Sequence, residues 1–336
     1  MLNCFCQVPL VMFPRYLRFS ILIGYMRILR TENFYSKVFT CTLVILFFTI
    51  NNLLAFGGFE TADTTAISLK TDAVTYLDQI KELPQSPYWP NVKPKAFVEN
   101  LKIDVETPLK MYEGSNTNFC SYAALSYLPL HDDPLGFCKM MMELYTHGRA
   151  VCGKVTLDPS TAVKNVAGTL KFKGVLDVHP ANQLWFLSLA DHFKGYLNIF
   201  NRHFDPEDED KFWAACNYAK FNRMIRKLFN YKVDARGSDL IGPNVKNIYE
   251  YLNERLKTGT VILYLNNARL HQKKHSMRRP AIPTHFLVLV GMEKSADIIK
   301  ITYWDYGGLS LREVSPKFLD KIIFGISHCT KKVYEP

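Results

Sequence analysis

Among the 336 residues there is no CxxC pair and no HExxH run, so the usual zinc-ligand spacings are missing. No glycine-rich phosphate loop occurs either; Gly307-Gly308 reads as a turn. Internal repeats are absent, which excludes solenoids and propellers. Only one long uncharged run exists, which excludes a polytopic membrane protein. What the chain does have is apolar mass. With 48% hydrophobic residues against 21% charged, it can build a packed core and is not a disordered or low-complexity chain.

The formal charge of +10 suggests an anionic partner until its distribution is read. Residues 1–58 carry Arg15, Arg18, Arg27, Arg30 and Lys37 against the single acid Glu32, so much of the excess is N-terminal. Beyond charge, no nucleic-acid-binding module is recognisable, and no nucleic-acid partner is expected. From Val38 to Phe59 no residue is charged, and Val38–Ile50 is almost wholly apolar. Arg27, Arg30 and Lys37 precede this run, and Ala55-Phe56-Gly57 follows it with a small-x-small pattern. Together these features predict a Sec-type signal peptide, with export to the cell envelope, periplasm or medium and cleavage near Gly57. The alternative is an uncleaved single-pass anchor; either way, membrane contact is expected only through this segment. Translation starting at Met26 would give a signal of ordinary length.

Of the eight cysteines, Cys4, Cys6 and Cys41 fall within the N-terminal segment. Cys120, Cys138, Cys152, Cys216 and Cys329 remain. In an oxidising compartment, an odd count predicts one thiol kept for chemistry and at most two disulfides; five buried reduced thiols are the alternative. No metal site and no cofactor are expected.

Residues 59–110 read as a lead-in, with a short helix over Ala73–Leu83 and an extended connection, PQSPYWPNVKPK. From about Met111 the chain reads as one domain of α+β class, its helices in the first half and an antiparallel β-meander in the second. Helices are predicted over Phe119–Leu128, Asp133–Thr146, Pro180–Phe200, Pro206–Phe229 and Val245–Leu256. Strands are predicted over Thr260–Leu265, His285–Val290, Ile298–Trp304 and Ile322–Ser327.

Cys120 follows a polar loop, Glu113-Gly114-Ser115-Asn116-Thr117-Asn118, at a helix start for which Asn118 is a suitable N-cap. A thiol in the first helical turn sits at the positive end of the dipole, which favours the thiolate. Ala123 and Ala124 leave room for that helix to approach a sheet. His285 opens an apolar strand. If it pairs with the next strand so that opposed residue numbers sum to 590, Asp305 lies directly opposite. A carboxylate there would fix the imidazole tautomer and steady the imidazolium. The basic loop Arg269–Arg279 reads as a solvated hairpin tip, and the His271/His275 spacing lacks the context of a zinc site.

The order Cys, His, Asp resembles the papain-like cysteine peptidase superfamily, particularly the bacterial double-glycine-leader and bacteriocin-processing type and its stand-alone relatives. The resemblance is carried by Asn118-Phe119-Cys120-Ser121-Tyr122-Ala123-Ala124-Leu125, by Thr284-His285-Phe286-Leu287-Val288-Leu289-Val290-Gly291 and by Tyr303-Trp304-Asp305-Tyr306-Gly307-Gly308. It implies a papain-like fold over residues 111–336 and an acyl-enzyme intermediate. It also implies Cys120 as nucleophile, His285 as base then acid, and Asp305 as orienter, acting on a peptide or protein substrate. The family's oxyanion Gln has no counterpart in this loop, which leaves Asn116 as the candidate donor beside the Cys120 backbone N–H. Two alternatives stand: a catalytically inactive papain-like envelope binding module, and a transglutaminase-like or deamidating acyl-transfer enzyme.

Overall fold

The structure is a computed structural model that describes residues 64–194, 203–271 and 282–332. The N-terminal hydrophobic segment, with the export, anchor and Met26 expectations attached to it, lies outside these residues. So do residues 272–279 of the basic loop. Among the described residues, no helix is long and apolar enough to cross a membrane.

The helical half begins before the expected domain start. Helix α1 (Thr64–Asp78) lies earlier than the Ala73–Leu83 expectation. The extended connection stops one proline early, because Pro94 opens a helix, α2 (Pro94–Glu106). Proline suits that place, since its fixed φ is already helical and its missing N–H would have had no partner. Leu77, Trp89, Phe97 and Leu101 are fully buried in the same core as the later helices, so the presumed lead-in is part of the domain's packing.

Helix α3 (Cys120–Asp132) carries the cysteine as its first residue, and α4 (Pro134–His147) follows with Asp133 capping it through Gly136 N–H. A two-strand ribbon, β1 (Ala150–Cys152) with β2 (Val155–Leu157), leads to α5 (Thr161–Val166) and α6 (Pro180–Phe193). The long helix expected over Pro206–Phe229 does not form as one piece. Only α7 (Tyr218–Leu228) is α-helical, after a short 3₁₀ turn at Asp208–Asp210. The acids that looked like a favourable helix start instead bind local backbone: the Asp208 carboxylate accepts from Asp205 N–H at 2.9 Å, and Glu207 adopts a positive φ of 68°. The side chain of Asn217 then caps the new helix by accepting from Lys220 N–H.

The remaining elements are β3 (Tyr231–Gly237), α8 (Ile248–Leu256), β4 (Thr260–Leu265), α9 (Asn267–Leu270), β5 (His285–Ser295), β6 (Ile298–Asp305), β7 (Gly308–Val314), α10 (Pro316–Ile322) and β8 (Ile323–Lys331). The six long strands form one antiparallel sheet in the order β3-β8-β4-β5-β6-β7. Strands β4-β5-β6-β7 run as a meander, each beside the next in sequence, and β8 returns to fill the place between β3 and β4. The period of two sorts side chains to two faces. Val261, Leu263, Leu265, Leu287 and Leu289 pack with α8 and α10, whereas Ile262, Tyr264, Phe286 and Val288 join the helical half. The architecture is thus mixed α and β, helices first and an antiparallel sheet second, as composition and periodicity indicate.

Phe286 ties the halves together. Its ring stacks on Phe221 of α7 and on Tyr264 of β4, each at 4.3 Å between centroids. Phe286→Ala should lower the unfolding free energy by about 3–5 kcal/mol, since a buried aromatic is lost and the rigid sheet cannot close the gap. Urea denaturation measures this, and a loss under about 1 kcal/mol would contradict the packing.

Candidate functional site

Three segments meet around the start of α3. Asn118 is not the N-cap; that position is Phe119, which supplies no side-chain cap. Asn118 instead donates its side-chain amide to Lys211 O at 2.9 Å and its backbone N–H to Glu209 O at 2.8 Å. Asn116 N–H donates to Lys173 O at 3.0 Å, and Lys173 Nζ pairs with the buried Glu209 carboxylate at 2.7 Å. The loop before Cys120 is therefore laced to residues 173 and 209–211. Burial against an apolar sheet and these backbone bonds fix the helix end. Ala123 and Ala124 are buried, and α3 packs directly on β5 and β4.

All five described cysteines are free, so the disulfide expectation is replaced by its alternative, with one exception to burial. Burial pushes the thiols of Cys138, Cys152, Cys216 and Cys329 up to about 12. Cys120 is the partly exposed one, at the wall of a mostly apolar cleft of about 510 Å³ that Phe212, Ala215, Tyr264, Pro283 and Phe286 also line.

His285 and Asp305 come together as expected, though by a different register. His285 Nε2 lies 2.6 Å from Asp305 Oδ1, and both side chains are buried. The β5–β6 hairpin turns at Ala296-Asp297, tighter than the expected Glu293–Asp297 loop, with Ser295 opposite Ile298. That pairing, continued unchanged, would put His285 and Asp305 on opposite faces of the sheet. A β-bulge between Leu289 and Gly291 shifts the register by one, so that Val288 opposes Trp304. The shift returns both residues to one face as diagonal neighbours, within reach of long side chains.

The electrostatics centre on His285. Burial alone would lower its pKa, but the neighbouring Cys120 sulfur, then the hydrogen bond to Asp305, outweigh it and hold the imidazole well above its ordinary range. The Cys120 sulfur acts on the imidazole through its charge, the strongest raising influence, and through a side-chain hydrogen bond between the two. With Nε2 engaged by Asp305, Nδ1 is the ring nitrogen left for the thiol. Asp305 is pushed up by burial, but hydrogen bonds from His271 and His285 prevail and hold it below the usual carboxyl range.

Asn116 is exposed and does not line the cleft, where Asn118 does. The Asn118 amide, however, is engaged by Lys211 O. The donor that remains in place is the Cys120 backbone N–H, which as the first helical residue has no intrahelical acceptor.

Three further groups belong to the site and have little sequence signal. His271 Nε2 lies 3.0 Å from Asp305 Oδ2. Its place after α9, rather than any spacing to His275, gives it this role. The Tyr306 ring stacks on the His285 imidazole at 4.8 Å, and its hydroxyl accepts from the Asn267 amide at 3.1 Å. Glu113 is fully buried, and its ligating atoms lie within 4.8 Å of those of His285 and Asp305. These three residues are the metal-competent set among the described residues. The 2.6 Å contact between His285 and Asp305 already has hydrogen-bond length without an ion.

Comparisons with protein-family models, curated proteins and solved structures return no match for this chain.

Proposed function

We infer that this chain is a cysteine hydrolase that cleaves a peptide or isopeptide bond through Cys120, His285 and Asp305. The carrying observation is the imidazole held between a partly exposed helix-start thiol and a buried carboxylate at 2.6 Å. Cys120 attacks the carbonyl carbon, and His285 gives its proton to the leaving amine. Water, deprotonated by His285, then releases the acyl group from the thioester. Asp305 holds the ring orientation and steadies the imidazolium through both steps. The Cys120 N–H meets the developing oxyanion. The apolar cleft beside the sulfur supplies binding surface for the substrate's side chains.

The order of elements, a helix-borne cysteine followed by histidine and aspartate on neighbouring strands, supports kinship with the papain-like superfamily. The charge and hydropathy of residues 26–58 support export. A second reading, an inactive binding module, draws on one observation: Asn116 stands outside the cleft and the Asn118 amide is engaged elsewhere.

Labelling by a thiol-directed electrophile separates the two. Labelling at neutral pH should be lost in Cys120→Ala and retained in Cys138→Ala, whose thiol is buried and fully protonated. Failure of Cys120 to label faster than free cysteine would rule out the hydrolase reading.

A further inference from the structure

Glu113 is a carboxyl without an evident structural task. Neither of its oxygens makes a hydrogen bond of standard geometry among the described residues, although the side chain is wholly buried; the backbone N–H groups of Glu113 and Tyr306 lie near enough to favour its charged form. Leaving a buried carboxyl unpaired is costly, so its surroundings must decide its charge. Facing it are His285 from β5, Asp305 from the end of β6 and Tyr306 just beyond. Cys120 and His271 join this group by acting on His285 and Asp305 respectively.

Their charges are unequal in mobility. Asp305 stays ionised, held down by two histidines. Burial and the nearby anions push the Tyr306 phenol up, so it stays neutral. Glu113 is the group whose charge can change near neutrality. Burial raises it to about 7, against the pull of His285 and of the Glu113 and Tyr306 backbone N–H groups and with a smaller push from Asp305.

We propose that Glu113 is a positioning residue, a second and switchable carboxylate behind the catalytic pair. Ionised, it stabilises the His285 imidazolium that accompanies the Cys120 thiolate; protonated, it withdraws that support. The proposal rests on the nucleophilic reading of Cys120, His285 and Asp305. It also assigns two duties to two carboxylates: Asp305 orients the ring at every working pH, and Glu113 adjusts how much imidazolium is present. Proton occupancy at Glu113 and at the Cys120–His285 pair is then coupled, so the steps seen belong to the group as a whole.

The test is the rate of Cys120 alkylation by iodoacetamide between pH 5 and 9, on the full chain and its Glu113→Gln variant. Wild type should show an inflection near pH 7 in addition to a more acidic one. Glu113→Gln should lose the neutral inflection and alkylate about tenfold more slowly at pH 8, and Glu113→Asp should restore part of the rate. A Gln profile superimposable on wild type, with Cys120 still labelled, overturns the role of Glu113 and leaves the triad standing. No accelerated labelling of Cys120 in wild type overturns both. Should the Gln variant misfold, the wild-type His285 ring nitrogens provide the readout by NMR. A chemical-shift step near pH 7 supports the coupling, and a flat response there refutes it.

Discussion

Replacing His285 by alanine should slow alkylation of Cys120 by iodoacetamide at pH 6 by about 10²-fold. The reasoning is one of thiolate supply. A thiol without assistance titrates near 8.5, so at pH 6 only about 0.3% is ionised. Beside an imidazolium, proton transfer within the pair keeps a large share of the sulfur anionic at that pH. Here the imidazole is buried, tethered to Asp305 and held well above its ordinary range, so it is placed to take up a proton from the sulfur. Removing it returns the sulfur to its own resources. The difference should shrink as pH rises, because above about pH 9 an unassisted thiol ionises by itself. Convergence of the two curves at high pH is the signature of a lost ion pair. A uniform reduction at every pH would point to altered access instead, and equal rates at pH 6 would remove His285 from the mechanism. Circular dichroism guards against misfolding, which is a concern because Asp305 and Glu113 lose their shared cation.

How much of this could be read from residues alone depends on burial. Strand β4 was legible to the residue, because a run such as TVILYL, covered on both faces, has few other homes. Within the six-stranded sheet, the two strands that the periodicity did not reveal, β3 and β7, are its two edges. An edge strand faces solvent, so YKVDARG carries charges where a central strand carries apolar groups. In β7, Leu309 and Leu311 are more than half exposed, so their alternation does not mark a core. The split of the Pro206–Phe229 helix has a related cause: the same acids satisfy a helix dipole or a turn equally well, and tertiary context chose the turn.

Within the site, Cys120 and His285 were readable as neighbours because residue type and local setting coincide: cysteine at a helix start, histidine at the head of an apolar strand. Asp305 followed from hairpin arithmetic. Its success depended on a bulge that no residue between Leu289 and Gly291 announces. Glu113 and His271 were beyond reach. Their roles come from what the fold brings beside them, with Glu113 arriving from the loop before α3 and His271 from the segment after α9. An acid in a polar loop gives no sign that it will be fully buried.

Asp305→Asn should cut turnover of an activated ester, such as a p-nitrophenyl acyl ester, by about 10³–10⁴-fold while leaving the cleft intact. Asparagine matches aspartate in size but brings an N–H₂ that can face His285 Nε2 and favour the wrong tautomer. Even with its carbonyl facing the ring, it offers no charge to balance an imidazolium. The same change should flatten the dependence of stability on pH, and the direction can be worked out for each partner. Asp305 has a depressed pKa in the folded state, so its contribution is present above the ordinary carboxyl value near 3.9 and fades as pH falls through the folded value. His285 has a raised one, so its contribution is complete below about 6.5 and fades as pH rises through the folded value. Between about pH 4 and 6.5 both contributions are present, and the wild type should gain most over the variant there. Urea unfolding from pH 3 to 9 should show a narrowing gap toward both ends of the range. A constant gap would mean that the 2.6 Å contact is not an ionised pair. Undiminished ester turnover in a folded Asp305→Asn protein would mean that the carboxylate braces the hairpin without serving the chemistry.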